Sequence, residues 1–222
     1  MRTQTKDIQK DLTPEKALDI LVQGNRRFVS NLRVNRNLLQ QVNETSTGQY
    51  PFAIVLSCID SRTSAELIFD QGLGDIFSVR VAGNVVNEDI LGSMEFACQV
   101  AGSKLIVVLG HTKCGAVKGA CEHVHLGHLT GLLSKISPAV HDVEQAGGAD
   151  VPAAEFVEKV ALENTRQQMR AILERSPILE HLFKDGKIGI VGAMYSVESG
   201  EVSFFEQAFQ TPAPAAEMAA AR

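Results

Sequence analysis

The sequence predicts an α/β fold with a mainly parallel central β-sheet, an antiparallel edge strand, flanking helices and an N-terminal helical arm. Short apolar runs without polar alternation are typical of parallel strands that are covered on both faces. Helical patterns lie between these runs, as they do in strand–helix–strand units. The last run follows Ser199-Gly200 so closely that it predicts a hairpin partner. The predicted strands are 52–56, 76–81, 105–109, 188–191 and 202–205.

The predicted helices begin at recognisable signals. Thr13 is suited to be an N-cap and Pro14 to the first turn, and apolar residues at helical spacing follow them up to Phe28. Asn87 is the expected N-cap of a second helix. The segment 35–49 is polar and has no clear period, so we expect a connection there. The predicted helices are 13–31, 64–70, 87–100 and 154–175.

The chain of 222 residues is long enough for one well-buried core, and nothing in it suggests two. We therefore expect a single domain spanning residues 1–222. In it, residues 1–50 form the helical arm and connection, and residues 51–206 form the α/β core that binds metal. Residues 207–222 are rich in Ala and Pro and lack an apolar period, which predicts a disordered tail.

Composition argues against several classes of partner. The formal net charge is −5 and the 21 Lys and Arg residues are scattered, which does not favour nucleic-acid binding. No apolar stretch approaches the roughly 20 residues that span a bilayer, and the polar amino terminus does not resemble a secretion signal. Four cysteines are too few for a disulfide framework. We therefore expect a cytoplasmic protein with reduced thiols, no membrane partner and no nucleic acid.

Two short motifs carry ligand chemistry. Cys58-Ile59-Asp60-Ser61-Arg62 and His111-Thr112-Lys113-Cys114 each follow a predicted strand directly. Thiolates and imidazoles are the ligands that zinc prefers, and zinc bonds are only about 2.0 to 2.3 Å long. If Cys58 and His111 bind one ion, their strands must end side by side, at the edge where open α/β sheets place their ligands. Cys114 lies about one helical turn beyond His111 and reaches the same point.

The sequence alone allows two roles for Asp60. Its carboxylate is near enough to Cys58 to bind the ion, which would close the site. Arg62, two residues further on, could instead hold Asp60 through paired charge-assisted hydrogen bonds and leave a fourth position open for water. Zinc with two thiolates and one neutral imidazole is formally neutral, so a carboxylate that orders the bound water would assist it.

Together these motifs resemble the signatures of the β-class carbonic anhydrases, Cys-x-Asp-Ser-Arg and His-x-x-Cys-Gly. The resemblance extends over residues 14–206 and includes Val79-Arg80-Val81-Ala82-Gly83-Asn84. It implies reversible hydration of carbon dioxide to bicarbonate and a proton by a zinc-bound hydroxide, with zinc held by Cys58, His111 and Cys114. It also implies a homodimer or homotetramer, with the pocket close to the dimer interface and the N-terminal helices wrapping a neighbour.

The same resemblance implies a substrate pocket of the open type, in which Asp60 and Arg62 are catalytic. The regulated type places bicarbonate beside a tryptophan, an arginine and a tyrosine. Arg80 and Tyr195 match two of these, but Val55 stands at the tryptophan position, so we favour the open type. The residues that the resemblance assigns to the open pocket are Gln49, Phe77, Ala82, Phe96 and Gly115.

Other readings stay open. A related zinc hydrolase could act on carbon disulfide or carbonyl sulfide, and a bicarbonate-sensing or structural zinc protein would keep Asp60 on the metal. His123, His125 and His128 could form a second metal site or a proton shuttle, although surface histidines are the simpler interpretation. The remaining cysteines, Cys98 and Cys121, are expected to be small core residues.

Overall fold

A five-stranded sheet forms the centre of the computed structural model, which describes residues 3–208. The strands are β1 (Ala53–Ser57), β2 (Ile76–Arg80), β3 (Leu105–His111), β4 (Gly189–Tyr195) and β5 (Val202–Ala208). Their order is β2-β1-β3-β4-β5, with the first four parallel and β5 antiparallel to β4. This confirms the predicted fold class. β5 runs past the predicted end of the core at residue 206, and the rest of the predicted tail lies outside the described residues.

Helices cover both faces of the sheet and form the N-terminal arm. No helix within residues 3–208 has the length and apolar character needed to cross a membrane. A π-helical turn, Phe96–Val100, continues the fifth helix. The helices are α1 (Lys6–Asp11), α2 (Pro14–Val29), α3 (Leu38–Thr45), α4 (Ala65–Ile68), α5 (Glu88–Glu95), α6 (Gly115–Cys121), α7 (Gly127–Leu133), α8 (Ser137–Gln145), α9 (Ala153–Arg175) and α10 (Pro177–Lys184).

The inner strands β1, β3 and β4 are buried on both faces, which explains their continuous apolar runs. Val55 and Val107 pack with α2 and α4 on one face. Their neighbours Ile54 and Ile106 pack on the other face, against α5, α9 and α10. Alternate residues of a strand point to opposite faces, so a strand covered on both faces is apolar along most of its length.

The prediction of a structureless connection at 35–49 is wrong, because α3 lies within it. Asn37 caps this helix by accepting a hydrogen bond from the Gln40 N–H at 3.0 Å. The buried residue of the helix is Gln41, whereas Leu38 and Leu39 are exposed. The buried side is therefore polar, and a search for apolar periodicity does not detect it.

Asp70 ties the segment between α2 and α3 to the core. It is 3% exposed and accepts hydrogen bonds from Arg27 Nε, Arg36 Nη1 and the Val34 N–H. Burial raises the pKa of Asp70, but these bonds outweigh burial and the net shift is downward. Asp70 is therefore a charged anchor for the arm.

Candidate metal centre

Strand pairing brings the two motifs together. β1 and β3 are adjacent and parallel, with Ser57 opposite Leu109, so the residues that follow them share one edge of the sheet. The ligand atoms of Cys58, His111 and Cys114 all lie within 4.8 Å of one another, and all three residues are buried. The predicted juxtaposition of the two motifs is confirmed.

His111 presents one nitrogen to this cluster. Its Nδ1 donates to the Thr112 carbonyl oxygen at 2.9 Å, which fixes the tautomer with a lone pair on Nε2. Nε2 is buried and has no hydrogen-bond partner among the described residues. A buried nitrogen lone pair is costly to leave unpaired, so this atom fits the requirement of a metal ligand.

The two thiols have opposite electrostatic environments. The hydrogen bond with the Cys114 side chain, aided by His111 and the Gly83 N–H, lowers the pKa of Cys58 to about 4 against the effect of burial. The same bond to Cys58, together with burial, raises the pKa of Cys114. One thiolate thus suppresses ionisation of the other, and a divalent cation would allow both to ionise. The donor set fits a metal such as zinc.

The loop that follows Cys58 is held by its backbone carbonyls. Thr63 Oγ1 donates to the Cys58 and Asp60 oxygens at 3.0 and 2.9 Å. Arg80 donates to the same two oxygens, from Nε at 2.9 Å and from Nη2 at 2.7 Å. Arg80 therefore stabilises the ligand loop in this chain. Thr63 was not identified from the sequence, since a hydroxyl five residues after a ligand carries no recognised signal.

Asp60 is held by Arg62. Oδ1 accepts from Arg62 N and Nε at 3.0 and 2.9 Å, and Oδ2 accepts from Nη2 at 2.7 Å. The side-chain hydrogen bonds from Arg62 hold the pKa of Asp60 well below its usual range. Asp60 is outside the group of three ligands and remains a carboxylate beside it.

Cys114 is placed by a left-handed residue before it. Lys113 has φ = 55°, and its N–H donates to Glu158 Oε1 on α9 at 2.8 Å. Cys114 is the N-cap of α6 and Gly115 is the first residue of that helix. A Cβ at Gly115 would meet no other atom of this chain within 4 Å. Gly115 nevertheless lies next to the metal ligand.

The other residues assigned to the pocket divide into two groups. Ala82 precedes Gly83, whose N–H donates to Cys58 Sγ at 3.3 Å, so Ala82 lies near the cluster. Phe77 is opposite Ile54, near the start of β1, and contacts Phe96 edge to face with centroids 6.2 Å apart. Gln49 precedes β1, whose five residues span about 13 Å. One chain therefore does not bring Gln49, Phe77 and Phe96 to the metal ligands.

The remaining histidines and cysteines are separate from the site. His123, His125 and His128 are exposed, and the described part of the chain holds no second group of three metal-ligating side chains. Cys98 is buried and Cys121 is half-buried. Burial raises the pKa of Cys98 to about 12 and that of Cys121 to about 11, as expected for small core residues.

Comparison with known proteins agrees with this geometry. The carbonic anhydrase family model matches residues 53–202. Carbonic anhydrase 2 of Mycobacterium tuberculosis is 35% identical over 195 residues, which cover 84% of this chain and 90% of that protein. The β-carbonic anhydrase CafA of Aspergillus fumigatus superposes with a TM-score of 0.70 at 25% identity, covering 87% of this chain and 92% of CafA. A β-carbonic anhydrase of Sordaria macrospora, described as tetrameric, shares the fold at a TM-score of 0.68 and 21% identity, over 75% of this chain and 89% of that one.

The buried Cys–His–Cys cluster, the Asp–Arg pair beside it and these similarities lead to one assignment. The chain belongs to the carbonic anhydrase family and, within it, to the β class.

Proposed function

We propose that this protein catalyses the reversible hydration of carbon dioxide to bicarbonate and a proton, with zinc held by Cys58, His111 and Cys114. The observation that carries the proposal is the convergence of three buried ligand atoms within 4.8 Å, with a carboxylate held beside them. When bound, zinc supplies a Lewis acid that makes a water molecule nucleophilic at neutral pH.

Asp60 orients the attacking water in this proposal. Oδ1 already accepts two hydrogen bonds from Arg62, whereas Oδ2 accepts one and keeps a lone pair. That lone pair can accept a hydrogen bond from the water and so direct the water's own lone pair toward carbon dioxide. Because Asp60 stays ionised far below neutral pH, it acts as an acceptor across the physiological range.

The substrate pocket is completed by a second copy of the chain. Phe96 is 52% exposed and packs on Phe77, which lies on the edge strand β2. An exposed aromatic side chain beside the open edge of a sheet is typical of an interface. We infer a homodimer or homotetramer in which Gln49, Phe77 and Phe96 approach a partner's metal centre, while Ala82 and Gly115 belong to the chain's own centre. Four unpaired cysteines suit a cytoplasmic location.

Stopped-flow measurement of carbon dioxide hydration tests the proposal when zinc content is measured on the same sample. We expect turnover in proportion to bound zinc, its loss on chelation and its return on adding zinc. Carbonyl sulfide and carbon disulfide are assayed alongside. Faster turnover of either would reassign the substrate, and full zinc occupancy without any turnover would indicate a structural metal.

A further inference from the structure

Two buried amide side chains lie on the inner face of α9. Asn164 is fully buried and Gln168 is 6% exposed, and they are surrounded by apolar residues of the same helix such as Ala161 and Met169. An amide buried in apolar surroundings is costly unless its hydrogen bonds are made. The hydrogen bonds of these two side chains therefore matter more than their packing.

A backbone donor fixes the orientation of both amide groups. The Val86 N–H donates to Gln168 Oε1 at 2.8 Å, so the NH₂ group of Gln168 must face the other way. That group donates to Asn164 Oδ1 at 3.1 Å, which in turn orients the Asn164 NH₂ group toward the Gly83 carbonyl oxygen at 2.9 Å. Neither amide can be flipped without placing two donors or two acceptors in contact.

The Gln168 and Asn164 amides together form a hydrogen-bonded relay, and the residue that this relay holds is Gly83. It has φ = 69°, and a Cβ there would lie 2.6 Å from Ile136 Cδ1, so a side chain at this position would be both strained and crowded. Its own N–H donates to Cys58 Sγ at 3.3 Å. The loop from 83 to 86 is thus held by α9 from one side and contacts a metal ligand on the other.

We propose that Asn164, oriented by Gln168, is a positioning residue that fixes the Gly83 N–H on the Cys58 thiolate. A thiolate that accepts a hydrogen bond donates less charge to its metal, which leaves the metal a stronger Lewis acid. The relay would therefore set both the geometry of Cys58 and the acidity that the metal imparts to water. This inference rests on the proposed function, since it assumes a metal ion on Cys58.

Two variants and a control test the relay. Asn164→Leu removes both polar ends of the amide and keeps its branched shape. Gln168→Glu keeps the acceptor for Val86 but places a carboxylate oxygen against Asn164 Oδ1, which turns the Asn164 NH₂ group away from Gly83. The control, Gln167→Ala, alters the next residue of the same helix, whose amide donates to Asp142 at the surface.

Each protein is loaded with Co²⁺ for its absorption spectrum and with Zn²⁺ for affinity by chelator competition. We expect the thiolate-to-cobalt charge-transfer band of both variants to move to longer wavelength and zinc affinity to fall roughly 10-fold or more. The pH at which carbon dioxide hydration is half-maximal should rise in both variants. Gln167→Ala should match the wild type in all three measurements.

A merely structural role would lower the melting temperature and leave the cobalt band and the pH midpoint unchanged, and that result would overturn the inference. If Asn164→Leu does not fold, the isosteric Gln168→Glu decides the question. A wild-type protein that binds neither metal would instead refute the proposed function, so the two failures are distinguishable.

Discussion

Arg62 holds both carboxylate oxygens of Asp60, through Nε at 2.9 Å and Nη2 at 2.7 Å. Bidentate pairing of this kind fixes the plane of the carboxylate as well as its position. The backbone carbonyl of Asp60 is fixed independently by Arg80 and Thr63. Asp60 is therefore held beside the three ligands by contacts that do not involve a metal.

Asp60→Asn should retain zinc and lose most turnover. The new amide would point an N–H group at the Arg62 guanidinium, so the pair breaks and the acceptor for water is lost. We expect roughly 10- to 100-fold lower kcat with unchanged zinc content, measured by stopped flow and metal analysis. Glu198→Gln is the matched control, since it neutralises an exposed carboxylate at the same end of the sheet. Equal activity of the Asp60 variant and wild type would exclude the acceptor role.

Cys58→Ser should lose the metal. A serine hydroxyl does not ionise at neutral pH. Its C–O bond is shorter than a C–S bond and its oxygen is a harder donor than a thiolate sulfur, so zinc keeps only two good ligands. Zinc per chain after dialysis against a weak chelator should fall from near one to near zero. Cys121→Ser, which changes a half-buried cysteine outside the cluster, should keep its zinc. Retention of zinc by the Cys58 variant would show that the ligand set is wrong.

Gly83→Ala should destabilise the protein by about 2 kcal/mol or more, because alanine is strained at φ = 69° and its Cβ would meet Ile136. Urea unfolding at one protein concentration measures this cost. Gly131→Ala is the control: it lies within α7, and a Cβ there would meet nothing within 4 Å. That variant should be unchanged or slightly more stable. If both variants unfold alike, Gly83 has no special backbone requirement.

Asp70→Asn should cost about 3 kcal/mol near neutral pH, because it leaves two arginines without their buried counter-charge. The pKa of Asp70 is lower in the folded protein than in the unfolded chain. Its contribution is therefore fully present above the ordinary carboxyl pKa of about 4 and is lost as the pH falls toward the folded value. Urea unfolding at several pH values should show the gap between wild type and variant narrowing below about pH 4.

The control for this pH dependence is Asp185→Asn, which removes a carboxylate paired with Lys187 at the surface. Its urea unfolding midpoint should equal that of the wild type at every pH. A gap in unfolding free energy between Asp70→Asn and wild type that widens on acidification would show that folding raises the pKa of Asp70 instead of lowering it.

The candidate ligands could be predicted from the sequence because each of their two motifs directly follows an apolar run that is typical of a strand. If Cys58 and His111 bind one ion, the two strands before them must be neighbours, and β1 and β3 are adjacent and parallel. The pocket residues Gln49, Phe77 and Phe96 do not follow in this way. A motif indicates which residue types a pocket uses, but strand register places these three away from the metal ligands of their own chain.

Two features escape a sequence search that assumes buried positions are apolar and exposed positions are polar. Helix α3 buries Gln41 and exposes its leucines, so its pattern is reversed. Asn164 and Gln168 interrupt the apolar face of α9 at helical spacing, and that interruption was the available sign of a buried polar relay. Polar residues on a predicted core face should be treated as candidates for positioning a site.

A crystal structure of the zinc-loaded protein at neutral pH would show directly whether Asp60 stays off the metal. We predict zinc bound by Cys58, His111 and Cys114 with a water molecule as fourth ligand, and Asp60 still paired with Arg62. An Asp60 oxygen within about 2.2 Å of zinc and parted from Arg62 would contradict it, since the site would then be closed.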